Sequence, residues 1–160
     1  MAATITLWSL VNPTRWRVGD IESGSKVYTD DQIFQHIEQT GVKAYNAEMI
    51  QEVAIAGTSR QKYFTPTMNK EAEYLMVLFS ARAILEGEKM RSSRSAISFS
   101  NPVSNVNLTE VAAQLDKDIS RLTNEINDMK RRIKLASVVN QIGIQSLSKN
   151  ATSGIELDTE

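Results

Sequence analysis

Apolar residues recur at helical spacing most strongly in residues 68–90. One face of this stretch carries Ala72, Leu75, Met76, Phe79 and Ala83, and further apolar residues widen it almost all round. A helix that is apolar on most sides lies at the centre of a bundle. The pattern therefore predicts a buried central helix, with Thr67 or Asn69 as its N-cap.

Two shorter helices are predicted before the central one. Thr29 is a good N-cap, and Gln32 three residues later completes a capping box, so the first helix begins there. We expect this helix to end at Gly41, because glycine favours helix C-termini. A second helix is expected over residues 43–56, followed by a loop over residues 58–67.

A heptad pattern predicts the longest helix, over residues 109–135, with Thr109 as its N-cap. The apolar positions step by four and three residues through Leu115, Ile119, Leu122, Ile126, Met129 and Ile133. Such a narrow seam packs against another helix, either in the same chain or in a neighbour.

The segments outside these helices are predicted to be extended or flexible. Residues 1–28 are interpreted as an extended arm, because Pro13 breaks its apolar run and loop residues follow. This arm holds both tryptophans of the chain, Trp8 and Trp16. They either pack on the chain's own core or anchor the arm on a neighbouring subunit, since tryptophan is enriched in such anchors.

Residues 92–108 are rich in serine and asparagine and are predicted to form an extended loop or a short β-ribbon. Their apolar residues alternate with polar ones or flank a turn at Asn101-Pro102: Ile97, Phe99, Val103 and Val106. A connection this long is uncommon in a small domain unless it has a function. Pairing with a neighbouring chain by strand addition is one such function.

Residues 136–160 are predicted to be a flexible tail that orders on a partner. Its candidate contact residues include Ile142, Ile144 and Leu147. The predicted fold class is therefore mainly all-α. A helical bundle domain over residues 29–135, with one long C-terminal helix, lies between two flexible arms.

The composition restricts the chemistry of the chain. It has no cysteine and one histidine, His36, so thiolate chemistry and a multi-histidine metal site are excluded. None of the glycine-rich phosphate loops, nucleophile elbows or calcium loops is present. We predict no enzyme activity, no cofactor and no metal. A poor signal sequence and the lack of a long apolar run predict a soluble protein without a membrane contact.

A cluster of cations ends the heptad helix, while the net charge of the chain is only -1. The cluster consists of Lys130, Arg131, Arg132 and Lys134. Three roles are open: interaction with the helix dipole, docking on an acidic protein surface, and contact with a phosphate backbone.

The order of these elements resembles the head–tail connector (adaptor or head-completion) proteins of tailed bacteriophages. The resemblance covers residues 29–135. It comprises the Thr29-Asp30-Asp31 cap, the central helix EAEYLMVLFSARAILEG, the segment 97–107 and the final helix 108–133. The longer, Trp-bearing N-terminal arm departs from a minimal adaptor.

The resemblance implies a subunit of the phage neck, assembled in the host cytoplasm. It implies a ring, commonly of twelve copies, that contacts the portal protein and a tail or stopper protein and extends the channel for DNA as non-specific cargo. The candidate interface comprises Trp8, Trp16, Ile97, Phe99, Val103, Val106, Arg131, Arg132, Ile142, Ile144 and Leu147. The alternatives are a regulatory module that dimerises through residues 115–133 and nucleic-acid binding by the basic cluster.

Overall fold

The described part of the chain is mainly helical, in agreement with the predicted fold class. The computed structural model describes the backbone of residues 6–20, 27–49, 52–98 and 102–152, and their side chains apart from residues 94–98, 102–109 and 136–152. The helices are α1 (Val11–Val18), α2 (Asp30–His36), α3 (Val42–Glu48), α4 (Lys70–Ser98) and α5 (Pro102–Thr152). A two-stranded antiparallel sheet pairs β1 (Ala54–Ala56) with β2 (Tyr63–Thr65).

Residues 7–18 are helical, so the extended conformation predicted for residues 1–28 is wrong in this stretch, while residues 1–5 and 21–26 lie outside the described part. A 3-10 turn (Leu7–Leu10) leads into α1. Pro13 does not break α1, because it occupies the first turn, where its missing N–H has no intrahelical partner to lose. Leu7 and Val11 are buried, so this segment forms part of the chain's own core.

The capping box at the start of α2 is confirmed. The Gln32 N–H donates to Thr29 Oγ1 at 3.2 Å, and the Thr29 N–H donates to Gln32 Oε1 at 2.8 Å. The predicted stop at Gly41 is wrong, because a π-helical turn (Ile37–Gly41) joins α2 directly to α3. Gly41 has a right-handed helical φ of −60°, so it does not serve as a left-handed cap.

The second predicted helix ends early, at Glu48, and residues 54–56 form β1 instead. The side chain of Asn46 explains the change of direction. Its Nδ2 donates to the Val53 carbonyl at 2.8 Å, and its Oδ1 accepts from the Val53 N–H at 3.0 Å. This amide pairs with the returning backbone as a strand does, and β1 then pairs with β2.

Helix α4 is the centre of the core, as its wide apolar face predicts. Every residue from Leu75 to Ala81 is buried, and α4 packs against α1, α2, the π-helical turn and α3. Asn69 caps it, since Asn69 Oδ1 accepts from the Ala72 N–H at 2.8 Å.

The extended loop predicted over residues 92–108 is wrong. Helix α4 continues to Ser98 and α5 begins at Pro102, while residues 99–101 lie outside the described part. The serines do not end α4, because Ser93 Oγ donates back to the Lys89 carbonyl at 2.9 Å within the helix. Pro102 suits the first position of a helix.

Helix α5 extends beyond its predicted bounds at both ends. Thr109 lies inside it and is not an N-cap, and its C-terminal part reaches Thr152 where a flexible tail was predicted. The chain has no proline after Pro102, and the single Gly143 costs a helix only about 1 kcal/mol, so little in the sequence stops it. The chain divides into two compact units, Met1–Ile126 and Asn127–Glu160.

Candidate interaction surface

The two tryptophans have different environments. Trp8 packs on the chain's own core: its ring centroid lies 5.6 Å from that of Phe34, and the Arg60 guanidinium lies 4.1 Å above it. Trp16 is 69% exposed, which is the largest exposed fraction of any large apolar side chain described. Trp16 therefore remains a candidate anchor for a partner, whereas Trp8 is explained by its intramolecular contacts.

The other predicted interface residues are helical or lie outside the described part. Ile97 lies in α4 near its end, Val103 and Val106 lie in the first turns of α5, and Phe99 falls outside the described residues. Residues 97, 103 and 106 cannot add as a strand to a neighbouring chain in this conformation, because their N–H and C=O groups lie in helical turns. Ile142, Ile144 and Leu147 lie in the last part of α5.

The basic cluster belongs to the second unit. Arg131 leaves 79% of its side chain exposed and lies 3.6 Å from Asp128, an i,i+3 pair along α5. Arg132 is also exposed. An exposed pair of this kind contributes about 0–1 kcal/mol, so Arg131 is available for a partner at little cost.

Helices α4 and α5 continue past the core as an antiparallel pair, which we name the hairpin arm: residues 86–98 of α4 and 102–121 of α5. Among the residues whose side chains are described, Leu85 is the last buried residue of α4 and Leu122 is the first buried residue of α5. An ion pair between Lys89 and Asp116 joins the two helices. The 13 residues of α4 in the arm extend about 20 Å at ~1.5 Å per residue.

A groove of about 520 Å³ runs between the two helices of the hairpin arm. Its lining comprises Glu86, Lys89, Met90, Ser93, Asp116 and Ile119. Met90 is 65% exposed, and Ile119 is only half-buried although it belongs to the heptad seam. The seam is thus covered at Leu122 and Ile126, which are fully buried, and open towards Val111.

A polar cluster fixes α1 and α5 on α4 below the arm. The Tyr74 hydroxyl donates to Glu125, and the Arg17 guanidinium reaches both groups, 3.2 Å from Glu125 Oε2. Burial raises the pKa of Tyr74, and the hydrogen bond to Glu125 raises it further. The cluster therefore keeps the Tyr74 hydroxyl protonated at neutral pH, and its hydrogen bonds link α1, α4 and α5.

A second cluster lies at the base of the arm. The Tyr28 hydroxyl donates to Glu88, Arg91 lies 3.3 Å from the Glu88 carboxylate, and the His36 ring meets that of Tyr28 edge-on at 5.9 Å. Burial lowers the pKa of His36, with help from Arg91 and against the effect of Glu88. The neutral form of His36 is favoured in this position.

Several acidic residues of the described part form ion pairs with arginines. Asp30 binds Arg15, Asp31 binds Arg60, and Glu86 lies 3.7 Å from Arg82. Among the described residues, no group of three or more metal-binding side chains converges. Within the same part of the chain, no helix is both long and apolar enough to cross a membrane.

Comparison of the chain with protein-family models, with curated proteins and with solved structures finds no match. The surface features above therefore carry the functional argument. The sequence missed the hairpin arm, although two signals pointed to it. Met90 and Val111 continue the apolar stripes of their helices past the core, and Pro102 is a typical first residue of a helix.

Proposed function

We propose that the chain is a non-enzymatic structural subunit of a larger assembly, like the phage head–tail connector proteins that its sequence resembles. The observation that supports this proposal is the hairpin arm, whose groove and open heptad seam have no cover within the described chain. Exposed apolar surface of this kind is typical of a protein interaction site.

In this proposal, copies of the chain form a ring in the neck of the virion, between a portal protein and a tail or stopper protein. Trp16 and the groove offer two different surfaces for such contacts, as a head-to-tail ring requires. The net charge of -1 suits a channel through which DNA passes as non-specific cargo, because it provides no strong attraction to phosphates.

A coiled-coil module that dimerises through α5 is the second candidate. The open part of the seam, where Val111 is 48% exposed, favours a helical partner there. However, Leu122 and Ile126 are fully buried within the first unit, so they have no surface left for a second chain. A dimer along the whole seam would require α5 to leave the core.

The mass of the native particle tests the proposal. Light scattering or native mass spectrometry of the full chain, alone and with a portal ring, should give a large closed oligomer or a complex that forms on the portal. A stable dimer in isolation would favour the coiled-coil module. A chain that stays monomeric and ignores portal rings would refute both.

A further inference from the structure

A small cavity lies at the N-terminal end of α4, apart from the hairpin arm. Its volume is about 130 Å³. Helix α3 contributes Tyr45 to its lining, the segment before β1 contributes Val53, and the link from β2 into α4 contributes Thr67, Asn69 and Ala72. The cavity therefore lies within the first unit, where α3 and the two strands meet the start of α4.

The hydroxyl of Tyr45 is the unexplained group of this cavity. Tyr45 is only 3% exposed, and its ring packs edge-on against that of Phe79 with the centroids 6.0 Å apart, so its hydroxyl end faces the cavity. Within the described part of the chain this hydroxyl has no hydrogen-bond partner. Burial raises the pKa of Tyr45, so the hydroxyl stays protonated and can donate at neutral pH. A buried donor of this kind favours a ligand that accepts its hydrogen bond.

The other polar groups of the lining also favour an acceptor. Asn69 Oδ1 accepts from the Ala72 N–H at 2.8 Å, so the Asn69 amide has its Nδ2 donors left for a ligand. Thr67 adds a second hydroxyl. The cavity also lies at the N-terminus of a long helix, where backbone N–H groups lack intrahelical acceptors and the helix dipole favours negative charge.

We propose that this cavity binds a small oxyanion of about the size of phosphate, between the Tyr45 hydroxyl and the N-terminus of α4. The inference goes beyond the proposed function and does not depend on it. The oxyanion is either a free ion or a phosphate or carboxylate group carried by a partner.

The size of the cavity limits the ligand. A volume of 130 Å³ holds roughly four water molecules at ~30 Å³ each, which is room for an ion such as phosphate or acetate. It lies well below the roughly 300–1,000 Å³ of clefts that hold drug-sized ligands. A nucleotide therefore does not fit as a whole.

The charges around the cavity limit the affinity. Of the described lining residues none is charged, so hydroxyl and amide dipoles hold the ligand. Two carboxylates in the first turn of α4, Glu71 and Glu73, weaken the attraction of an anion, whereas Lys70 strengthens it. We therefore expect a weak site, with a dissociation constant on the order of 1 mM.

Inorganic phosphate is the first probe of the site. Sodium phosphate replaces sodium chloride stepwise at neutral pH and constant ionic strength, and thermal unfolding of the full chain is followed by circular dichroism. We expect the Tm to rise with the phosphate concentration, because a ligand that binds only the folded chain stabilises it by mass action. Broadening of the phosphorus NMR signal gives the affinity directly. The same titration with acetate distinguishes a carboxylate from a phosphate.

Tyr45→Phe isolates the contribution of the hydroxyl. Phenylalanine keeps the ring against Phe79, and the chain loses no hydrogen bond of its own, so the variant should be at least as stable as the wild type without phosphate. Its affinity for phosphate should fall by about 10-fold or more, the effect of losing a hydrogen bond to a charged group. Tyr63→Phe is the matched control, because Tyr63 is 38% exposed and lies outside the described lining. It should bind phosphate as the wild type does.

Asn69→Asp tests the sign of the charge at the site. Aspartate caps a helix as well as asparagine does, so the stability in chloride should be retained. The new carboxylate lies at the cavity and repels an anion, so the response to phosphate should disappear.

The outcomes decide the inference in both directions. A rise in Tm with phosphate or acetate that both Tyr45→Phe and Asn69→Asp reduce, and that Tyr63→Phe retains, supports the site. Equal responses of the wild type, Tyr45→Phe and Asn69→Asp would reveal a general salt effect and overturn it. No response of the wild type to either anion would also overturn it, since the polar cavity would then hold water only.

Discussion

Gly41 and Ser80 lie so close together that a Cβ atom added to Gly41 would be 2.1 Å from Ser80 Oγ and 3.1 Å from Ser80 Cβ. Gly41 ends the π-helical turn, and Ser80 is fully buried in the middle of α4. The absence of a side chain at residue 41 therefore allows the helical segment from α2 to α3 to approach α4 at van der Waals distance. Glycine is required here because there is no room for a Cβ atom. Its backbone conformation does not require glycine, since a φ of −60° is open to any residue.

Gly41→Ala should destabilise the protein by about 1–2 kcal/mol, because overpacking costs typically 1–3 kcal/mol and the better helix propensity of alanine offsets up to about 1 kcal/mol. Urea unfolding followed by circular dichroism measures the change. The double variant Gly41→Ala/Ser80→Ala should recover part of the loss, since it removes the Oγ atom that clashes.

Gly87→Ala is the matched control for the Gly41 substitution. Gly87 also lies in a helix, and a Cβ atom there has no neighbour within 4 Å. This change should stabilise the protein by roughly 0.5–1 kcal/mol through helix propensity alone. Equal effects at both glycines would contradict the role of the contact with Ser80.

Gly41 also shows why some helix ends could not be predicted from the sequence. Glycine at the end of an apolar stripe is typical both of a C-cap and of a close helix crossing, and only the position of Ser80 distinguishes them. By contrast, the Thr29 capping box and the apolar face of α4 depend on residues near each other in sequence, and both predictions are confirmed.

The candidate site was predicted only in part, for a related reason. For Trp16 the residue type left two interpretations open, packing on the chain's own core or anchoring the arm on a neighbouring subunit, and the side chain is exposed. The alternation of apolar and serine residues around Ile97 suggested a strand. Serine is also accommodated in a helix, where its hydroxyl can donate to the carbonyl one turn earlier, as Ser93 does. The groove depends on the pairing of α4 with α5, which no local pattern specifies.

The ion pair between Arg15 and Asp20 gives a second prediction. Each side chain is only 5% exposed, and Asp20 also accepts hydrogen bonds from the N–H groups of Val27, at 2.9 Å, and Tyr28, at 3.2 Å. Asp20→Ala should cost about 3–5 kcal/mol, because it leaves a buried guanidinium without its main partner. Denaturant unfolding of the variant measures this loss.

The exposed pair between Arg60 and Asp31 is a control of the same residue types. Their side chains are 65% and 68% exposed, and the atoms lie 3.2 Å apart. Asp31→Ala should change the free energy of unfolding by no more than about 1 kcal/mol. A similar cost for Asp31→Ala and Asp20→Ala would show that burial is not the cause of the difference.

His36 predicts a pH dependence of stability. Burial lowers its pKa in the folded chain below the usual 6.5, so the unfolded chain takes up the proton first as the pH falls. Stability should therefore decrease as the pH falls through 6.5, the usual pKa of the unfolded chain, towards the lower folded pKa, and the full penalty is present below the folded pKa. His36→Gln should remove this component, so that its stability relative to the wild type rises as the pH falls. A stability difference that does not change with pH would contradict the burial of His36.

Ile126→Asp separates the two proposed functions. Ile126 is fully buried in the first unit, so a carboxylate there has to be accommodated without a partner. We expect the variant to lose at least about 4 kcal/mol, among the largest effects of single substitutions, and to unfold as a subunit. Far-UV circular dichroism and urea unfolding measure this outcome.

Leu135→Asp provides the comparison for Ile126→Asp, because Leu135 also lies on α5 but is 65% exposed. Its substitution should change the free energy of unfolding by about 0.5 kcal/mol or less. If Ile126→Asp instead gave a folded monomer from a dimer, with its circular dichroism unchanged, the seam would lie between two chains. The proposal of a coiled-coil module would then be favoured over that of a connector subunit. A residue in the core of its own chain cannot be replaced by a carboxylate without loss of structure.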